Sequence, residues 1–115
     1  MIQDQTQKRD AGKFDPLMID EDLANALEVE NAVLEFGKEK YGMRAGWMQV
    51  DMQRYASAAA RHRRERMKYG IDDRDPETNL VHIAHEIINL QFLLEMHIRA
   101  NPGVDFTTYR KPVKV

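Results

Sequence analysis

The 115-residue chain contains no cysteine. That excludes disulfides, thiolate zinc sites and cysteine nucleophiles, and it fits a reducing cytoplasm. A glycine-rich phosphate loop of the Walker type is also missing, and no serine sits in a nucleophile-elbow pattern. A P-loop NTPase and an α/β-hydrolase are therefore set aside. No apolar run approaches the roughly 18 residues that a membrane span needs. The polar N-terminus, MIQDQTQKRD, has no apolar signal core. Low-complexity segments and internal repeats are absent too. What is present is ordinary for a soluble globular protein: 43% hydrophobic residues, 31% charged residues and a formal charge of −2. The length predicts a single domain over residues 1–115, with a core so limited that oligomerisation would help it.

Local charge says more than the total. Residues 15–35 carry Asp15, Asp20, Glu21, Asp22, Glu28, Glu30 and Glu35 without a lysine or arginine, whereas residues 61–68, RHRRERMK, are basic. Such separation is either intramolecular pairing or the mark of a site for a metal bound to an anion.

The pattern predicts an all-α fold, a bundle of three main helices behind an irregular arm over residues 1–19. Asp20 is the expected N-cap of a first helix that runs to Tyr41 and stops at Gly42. Leu23, Leu27, Leu34 and Tyr41 form its apolar line. Glu28, Glu35 and Glu39 gather opposite, and Glu30 projects from the apolar half, where a carboxylate needs a partner. A second helix is expected from Trp47 to Tyr69, with Met48, Met52, Tyr55, Ala59 and His62 as its stripe. A third is expected from about Asn79 to Arg99, with Leu80, Ile83, Ile87, Leu90 and Leu94 at core spacing. On that third helix His82, His85, Glu86 and Asn89 share an arc of roughly 100° and offer a polar stripe to a cavity. The tail, residues 104–115, has no clear pattern.

Four groups of residues can carry chemistry, and each has a plainer reading. In HIAHEIIN, residues 82–89, two histidines three apart can converge on one ion or phosphate, and Glu86 and Asn89 add oxygens suited to Mg²⁺ or Mn²⁺. Otherwise they are satisfied core histidines. Arg61 and His62 can bind phosphate or supply a base, or be a solvated arginine beside a core histidine. Glu28, Glu35 and Glu39 can hold a hard cation or form a solvent face. Lys40, Tyr41, Gly42 and Trp47 can hold a triphosphate and stack a base, or be a helix cap and a core tryptophan.

In order, AGKFDPLMI (11–19), VLEFGKEKYG (33–42) followed by Trp47, AAARH (58–62) and DPETNLVHIAHEIINLQFLLE (75–95) are familiar. The chain resembles the N-terminal domain of phage dATP/dGTP diphosphohydrolases, a group linked to the all-α MazG-like nucleotide pyrophosphohydrolases. The resemblance implies a helical homodimer or homotetramer in the host cytoplasm. It implies cleavage of a purine dNTP, dGTP or dATP, to a dNMP and pyrophosphate with Mg²⁺ or Mn²⁺. Glu35, Lys40, Arg61, His62, Glu77, His82, His85 and Asn89 match the family's recurring polar positions. On that basis Glu35, Glu77, His82 and His85 are expected as metal ligands and catalytic groups. Lys40 and Arg61 would bind phosphates, Tyr41 or Trp47 would contact the base, and His62 and Asn89 are expected among the same binding residues. MazG-like enzymes place ligands as Glu-x-x-Glu and Glu-x-x-Asp, where this chain has His62-x-x-Glu65 and Glu86-x-x-Asn89.

Two other functions compete. A non-catalytic nucleotide- or protein-binding module would keep the scaffold without turnover. Nucleic-acid binding through Arg61 to Lys68 is disfavoured by the negative net charge and the lack of interleaved aromatics.

Overall fold

A computed structural model describes residues 14–109. Helix α1 (Met18–Asp22) leads into α2 (Ala24–Tyr41). A 3₁₀ turn (Gly46–Gln49) precedes α3 (Met52–Tyr69), and α4 (His82–Ala100) closes the order. Among the described residues there is no strand, and one isolated antiparallel bridge joins Arg74 to Val81. No described helix is long and apolar enough to cross a membrane.

Local chemistry explains the boundaries. Gly42 ends α2 in the left-handed conformation at φ 74°, which costs a glycine nothing. The Asp51 side chain caps α3 by accepting from the Gln53 N–H at 3.0 Å, satisfying an otherwise orphan donor. Gly70 stops α3 at φ 106°. The expected first helix is interrupted at Leu23, whose backbone (φ −119°, ψ 26°) leaves the helical region, so Asp20 lies in the first turn of α1 and is not a cap. The expected second helix starts late. Trp47 belongs to the 3₁₀ turn, and Val50 is extended before α3 begins. Likewise α4 begins at His82, because Asn79 at φ 61° and extended Val81 belong to the preceding loop.

Helices α3 and α4 form the main packed pair, and α2 crosses α4 and the 3₁₀ turn. Each of the paired helices buries an alanine, Ala59 and Ala84, and small side chains let backbones approach. A compact cluster of Val33, Ala84 and Ile88 forms the core, flanked by Leu80, Val81 and Phe92. Among the described residues no side chain is completely enclosed.

The expected core line of α4 is corrected by this packing. Leu90 and Leu94 are 49% and 55% exposed, whereas His82, Ala84, His85, Glu86, Ile88 and Asn89 are the buried positions. The helix therefore turns its polar stripe inward and leaves leucines at the surface. In the expected first helix the same holds for Leu23 and Leu34, which are exposed, while Glu30 and Val33 are buried. Periodicity identifies two faces of a helix, and the neighbours decide which is covered.

Candidate functional site

Between α3 and α4 the chain folds back through residues 70–81. Asp75 organises this segment. Its N–H donates to the Leu80 carbonyl at 2.9 Å, and its own carbonyl accepts from Asn79 N–H at 2.7 Å. Asp75 Oδ2 accepts from the Glu77 and Thr78 N–H groups at 3.1 and 3.0 Å, and from the Thr78 hydroxyl at 3.3 Å. Such a turn is what Asp-Pro favours. All the bonds at that carboxylate fall on Oδ2, which leaves Oδ1 for a ligand.

This loop delivers Thr78 to His85, whose Nε2 lies 2.7 Å from Thr78 Oγ1. The His85 ring stacks on His62 from α3, with centroids 4.6 Å apart and planes 11° apart. His62 Nδ1 in turn lies 2.8 Å from His82 Nδ1, and His82 Nε2 is 3.3 Å from an Asp73 carboxylate oxygen. Three imidazoles thus meet where α3, α4 and the loop join. Burial pushes the His62 pKa down to about 4, and the neighbouring His85 and His82 rings add to that effect. The pKa of His85 is also lowered, again chiefly by burial, against the pull of Asp75.

These two shifts give a prediction with a defined sign. Folded His62 and His85 resist protonation, whereas the unfolded chain takes up protons near the ordinary value of 6.5. Stability is then full above pH 6.5, falls as the pH drops, and levels off below about 4, where folded His62 also protonates. For the half-buried His62 ring the loss is on the order of 2 kcal/mol after allowing for solvent screening. Urea midpoints of the metal-free protein should decline across this window, and less steeply for His62→Gln.

Beside the histidines lies a cavity of about 400 Å³, a size that suits a small ligand. His62, His85, Asn89, Asp75, Glu77 and Thr78 form its polar end, Tyr41, Trp47, Tyr55 and Phe92 line it farther along α4, and Lys38, Lys40, Arg54 and Arg61 are also in its wall. Trp47 stacks on Phe92 at 4.2 Å with planes 12° apart, and Tyr55 meets Phe92 edge-on at 4.9 Å. The Tyr55 hydroxyl donates to the Trp47 carbonyl at 2.7 Å, which ties the 3₁₀ turn to α3, and burial raises its pKa. Gly46 is buried there, and only a glycine fits because a Cβ would stand 2.6 Å from Tyr41 Cβ. Asn89 Nδ2 donates to the His85 carbonyl at 2.7 Å, so its oxygen remains for the cavity.

Most residues singled out in the sequence meet at this cavity: Lys40, Tyr41, Trp47, Arg61, His62, Glu77, His85 and Asn89 line it. His82 stands behind His62. Glu35 does not join them, for it is exposed on α2 and paired with Lys38 at 2.9 Å. Glu86, considered as an oxygen donor to a cation, is instead held by Arg66, with Nε–Oε1 at 2.8 Å and Nη2–Oε2 at 3.3 Å. Glu30 is buried as its position suggested, but it has no hydrogen-bond or ion-pair partner among the described residues. Arg63, Arg64 and Lys68 point to solvent. Asp75, Thr78, Arg54 and Phe92, with Lys38 and Tyr55, are members that the sequence does not single out. Asp75-Pro76 signals a turn but not its destination, and Phe92 falls on the helical arc of His85 and Asn89, a signal that could have found it.

A family model described as dATP/dGTP diphosphohydrolase, N-terminal, matches residues 3–105. No curated protein and no solved structure matches.

Proposed function

Because the chain belongs to the dATP/dGTP diphosphohydrolase N-terminal family, we propose that it hydrolyses a purine deoxynucleoside triphosphate between the α and β phosphates, releasing a dNMP and pyrophosphate. The observation that carries this reading is the composition of one cavity, whose wall combines aromatic side chains, four cations and a histidine–carboxylate cluster.

Each part has a task. A base needs a flat apolar contact, which the Trp47–Phe92 pair supplies. Arg61 and Lys40, with Lys38 and Arg54, neutralise the phosphates and the charge that develops on the leaving pyrophosphate. His85 holds Thr78 through one ring nitrogen, and as a neutral imidazole it takes a proton from the attacking water at the other. The water oxygen forms its bond to the α-phosphorus as the bond to the bridging oxygen breaks, and the electron pair leaves with pyrophosphate. Asn89 orients the water or a phosphate oxygen. Resemblance implies Mg²⁺ or Mn²⁺, and the donors at the polar end fit a divalent cation: the free Asp75 Oδ1, the Glu77 carboxylate and the adjacent imidazoles. When bound, the cation would offset phosphate charge and lower the pKa of a bound water.

Each dNTP should be incubated with Mg²⁺ or Mn²⁺ in ¹⁸O-water and the products weighed. Label in a dNMP together with pyrophosphate supports the reading, whereas dNDP and phosphate, or no turnover, contradicts it. Saturable nucleotide binding without turnover would favour the non-catalytic module, which the engagement of Glu86 and Glu35 elsewhere also favours.

A second copy of the chain is proposed to cover the outer face of α4. Ile83, Ile87, Leu90 and Leu94 recur at spacings of four and three, the pattern of a helix seam, while the buried core is small. Wild-type protein should elute as a dimer or tetramer in size-exclusion chromatography with light scattering. Leu94→Glu should shift it toward monomer, and a monomeric wild type would contradict this.

A further inference from the structure

Two ionisable groups of the cavity's polar end, His62 and Asp75, and His82 behind them can give one donor atom each within 4.8 Å of one another. We propose that His62, Asp75 and His82 form a site for a six-coordinate first-row transition ion, of the Mn²⁺, Fe²⁺ or Co²⁺ class, in preference to Mg²⁺. The inference rests on the functional reading only in placing this ion beside the nucleotide cavity.

Separation is the first argument. Ligands on opposite sides of one ion with bonds of about 2.1 Å stand roughly 4.2 Å apart, so a spread within 4.8 Å is closed by small side-chain shifts. Orientation is the second. Asp73 stands 3.3 Å from His82 Nε2 and accepts its N–H, which puts the lone pair of His82 on Nδ1. That lone pair faces His62 Nδ1 at 2.8 Å. With bonds of about 2.1 Å, two nitrogens at that separation subtend roughly 85° at a metal, close to the right angle of an octahedron and short of a tetrahedron. A tautomer shift in His62, moving its ring proton to Nε2, is all the protein must supply.

Donor chemistry is the third argument. Mg²⁺ takes oxygen and gives up water reluctantly, whereas two imidazoles and one carboxylate suit a borderline ion and leave positions open for substrate oxygens and water. Asp75 is held for this role by its turn, which occupies Oδ2 and not Oδ1. The alternative grouping of Glu65, Asp73 and His82 shares His82, so the two exclude each other. Only the first has residues lining the cavity, His62 and Asp75.

The test uses the whole chain without nucleotide. Co²⁺ is titrated and followed by its visible absorption, and substoichiometric Mn²⁺ is added while the histidine ring signals are watched by NMR. One Co²⁺ per chain, with the weak absorption of six-coordination, is expected. A large excess of Mn²⁺, the weaker binder of the two, should displace it and the same excess of Mg²⁺ should not, and Mn²⁺ should broaden His62 and His82 far more than His97. His62→Gln and Asp75→Asn should weaken Co²⁺ binding more than about 10-fold, with His97→Gln unchanged. Should a variant lose helicity by circular dichroism, broadening in the wild type decides. Displacement by Mg²⁺ as effective as by Mn²⁺, or broadening that spares His62 and His82, overturns the proposal. Hydrolysis supported by Mg²⁺ without any Co²⁺ bound would remove this site and leave the catalytic reading. Metal bound at His62 and His82 without hydrolysis of any dNTP would do the reverse.

Discussion

Asp75→Asn is expected to lower the turnover of pyrophosphate release on the order of 10²–10³-fold, with helical content unchanged. The aspartate carries two duties on two oxygens. Oδ2 receives the Glu77 N–H, the Thr78 N–H and the Thr78 hydroxyl, all donors. An asparagine must place its single oxygen there, so the amide nitrogen replaces Oδ1. The cavity then gains a donor where a cation and triphosphate need an acceptor, and a negative charge is lost. The loop survives because its three bonds survive. Steady-state kinetics with dGTP and dATP, alongside thermal unfolding, separates the two duties. A variant that folds normally and turns over within threefold of wild type would remove Asp75 from the chemistry.

The second large effect concerns stability. Arg66 and Glu86 join α3 to α4 by two hydrogen bonds, with Glu86 only 8% exposed. Arg66→Ala leaves that carboxylate buried and unpaired. Breaking a fully buried pair costs about 3–5 kcal/mol. Because the arginine side chain is 26% exposed, water reaches the pair, and a clear but smaller loss of stability is expected. Chemical denaturation should show it. Arg66→Met combined with Glu86→Leu should recover most of the loss, since neither charge then needs a partner. A single variant within 0.5 kcal/mol of wild type would mean that the pair is solvated and that α4 is held by packing alone.

How much of this could be read from the chain itself varies by residue. The stops at Gly42 and Gly70 and the inward polar stripe of His82, His85, Glu86 and Asn89 follow from local chemistry and helical spacing. Three outcomes depend on tertiary neighbours and could not be read. Glu86 shares the stripe of His85, yet Arg66 claims it, because which α3 residue stands opposite depends on how the helices cross. Glu35 fits a ligand spacing but is exposed on α2 and paired with Lys38. Leu90 and Leu94 have core spacing without a core in this chain, since apolar periodicity does not say whether the covering surface is intramolecular. Asp75 and Thr78 enter the site through a loop whose path is set by long-range bonds, including that of the His82 N–H to the Asp73 carbonyl at 3.0 Å.

In the proposed function a single nucleotide spans the cavity, with its base at Trp47 and its phosphates at Arg61, His62 and Asp75. Trp47 is the chain's one tryptophan, so its fluorescence reports one end of the cavity alone. Titration with an α,β-imido dGTP analogue should quench it saturably. Pyrophosphate should leave the emission unchanged yet compete with the analogue, and Arg61→Ala should weaken the analogue's binding on the order of 10-fold or more. Emission indifferent to the analogue, or quenching that pyrophosphate cannot compete away, would contradict the account.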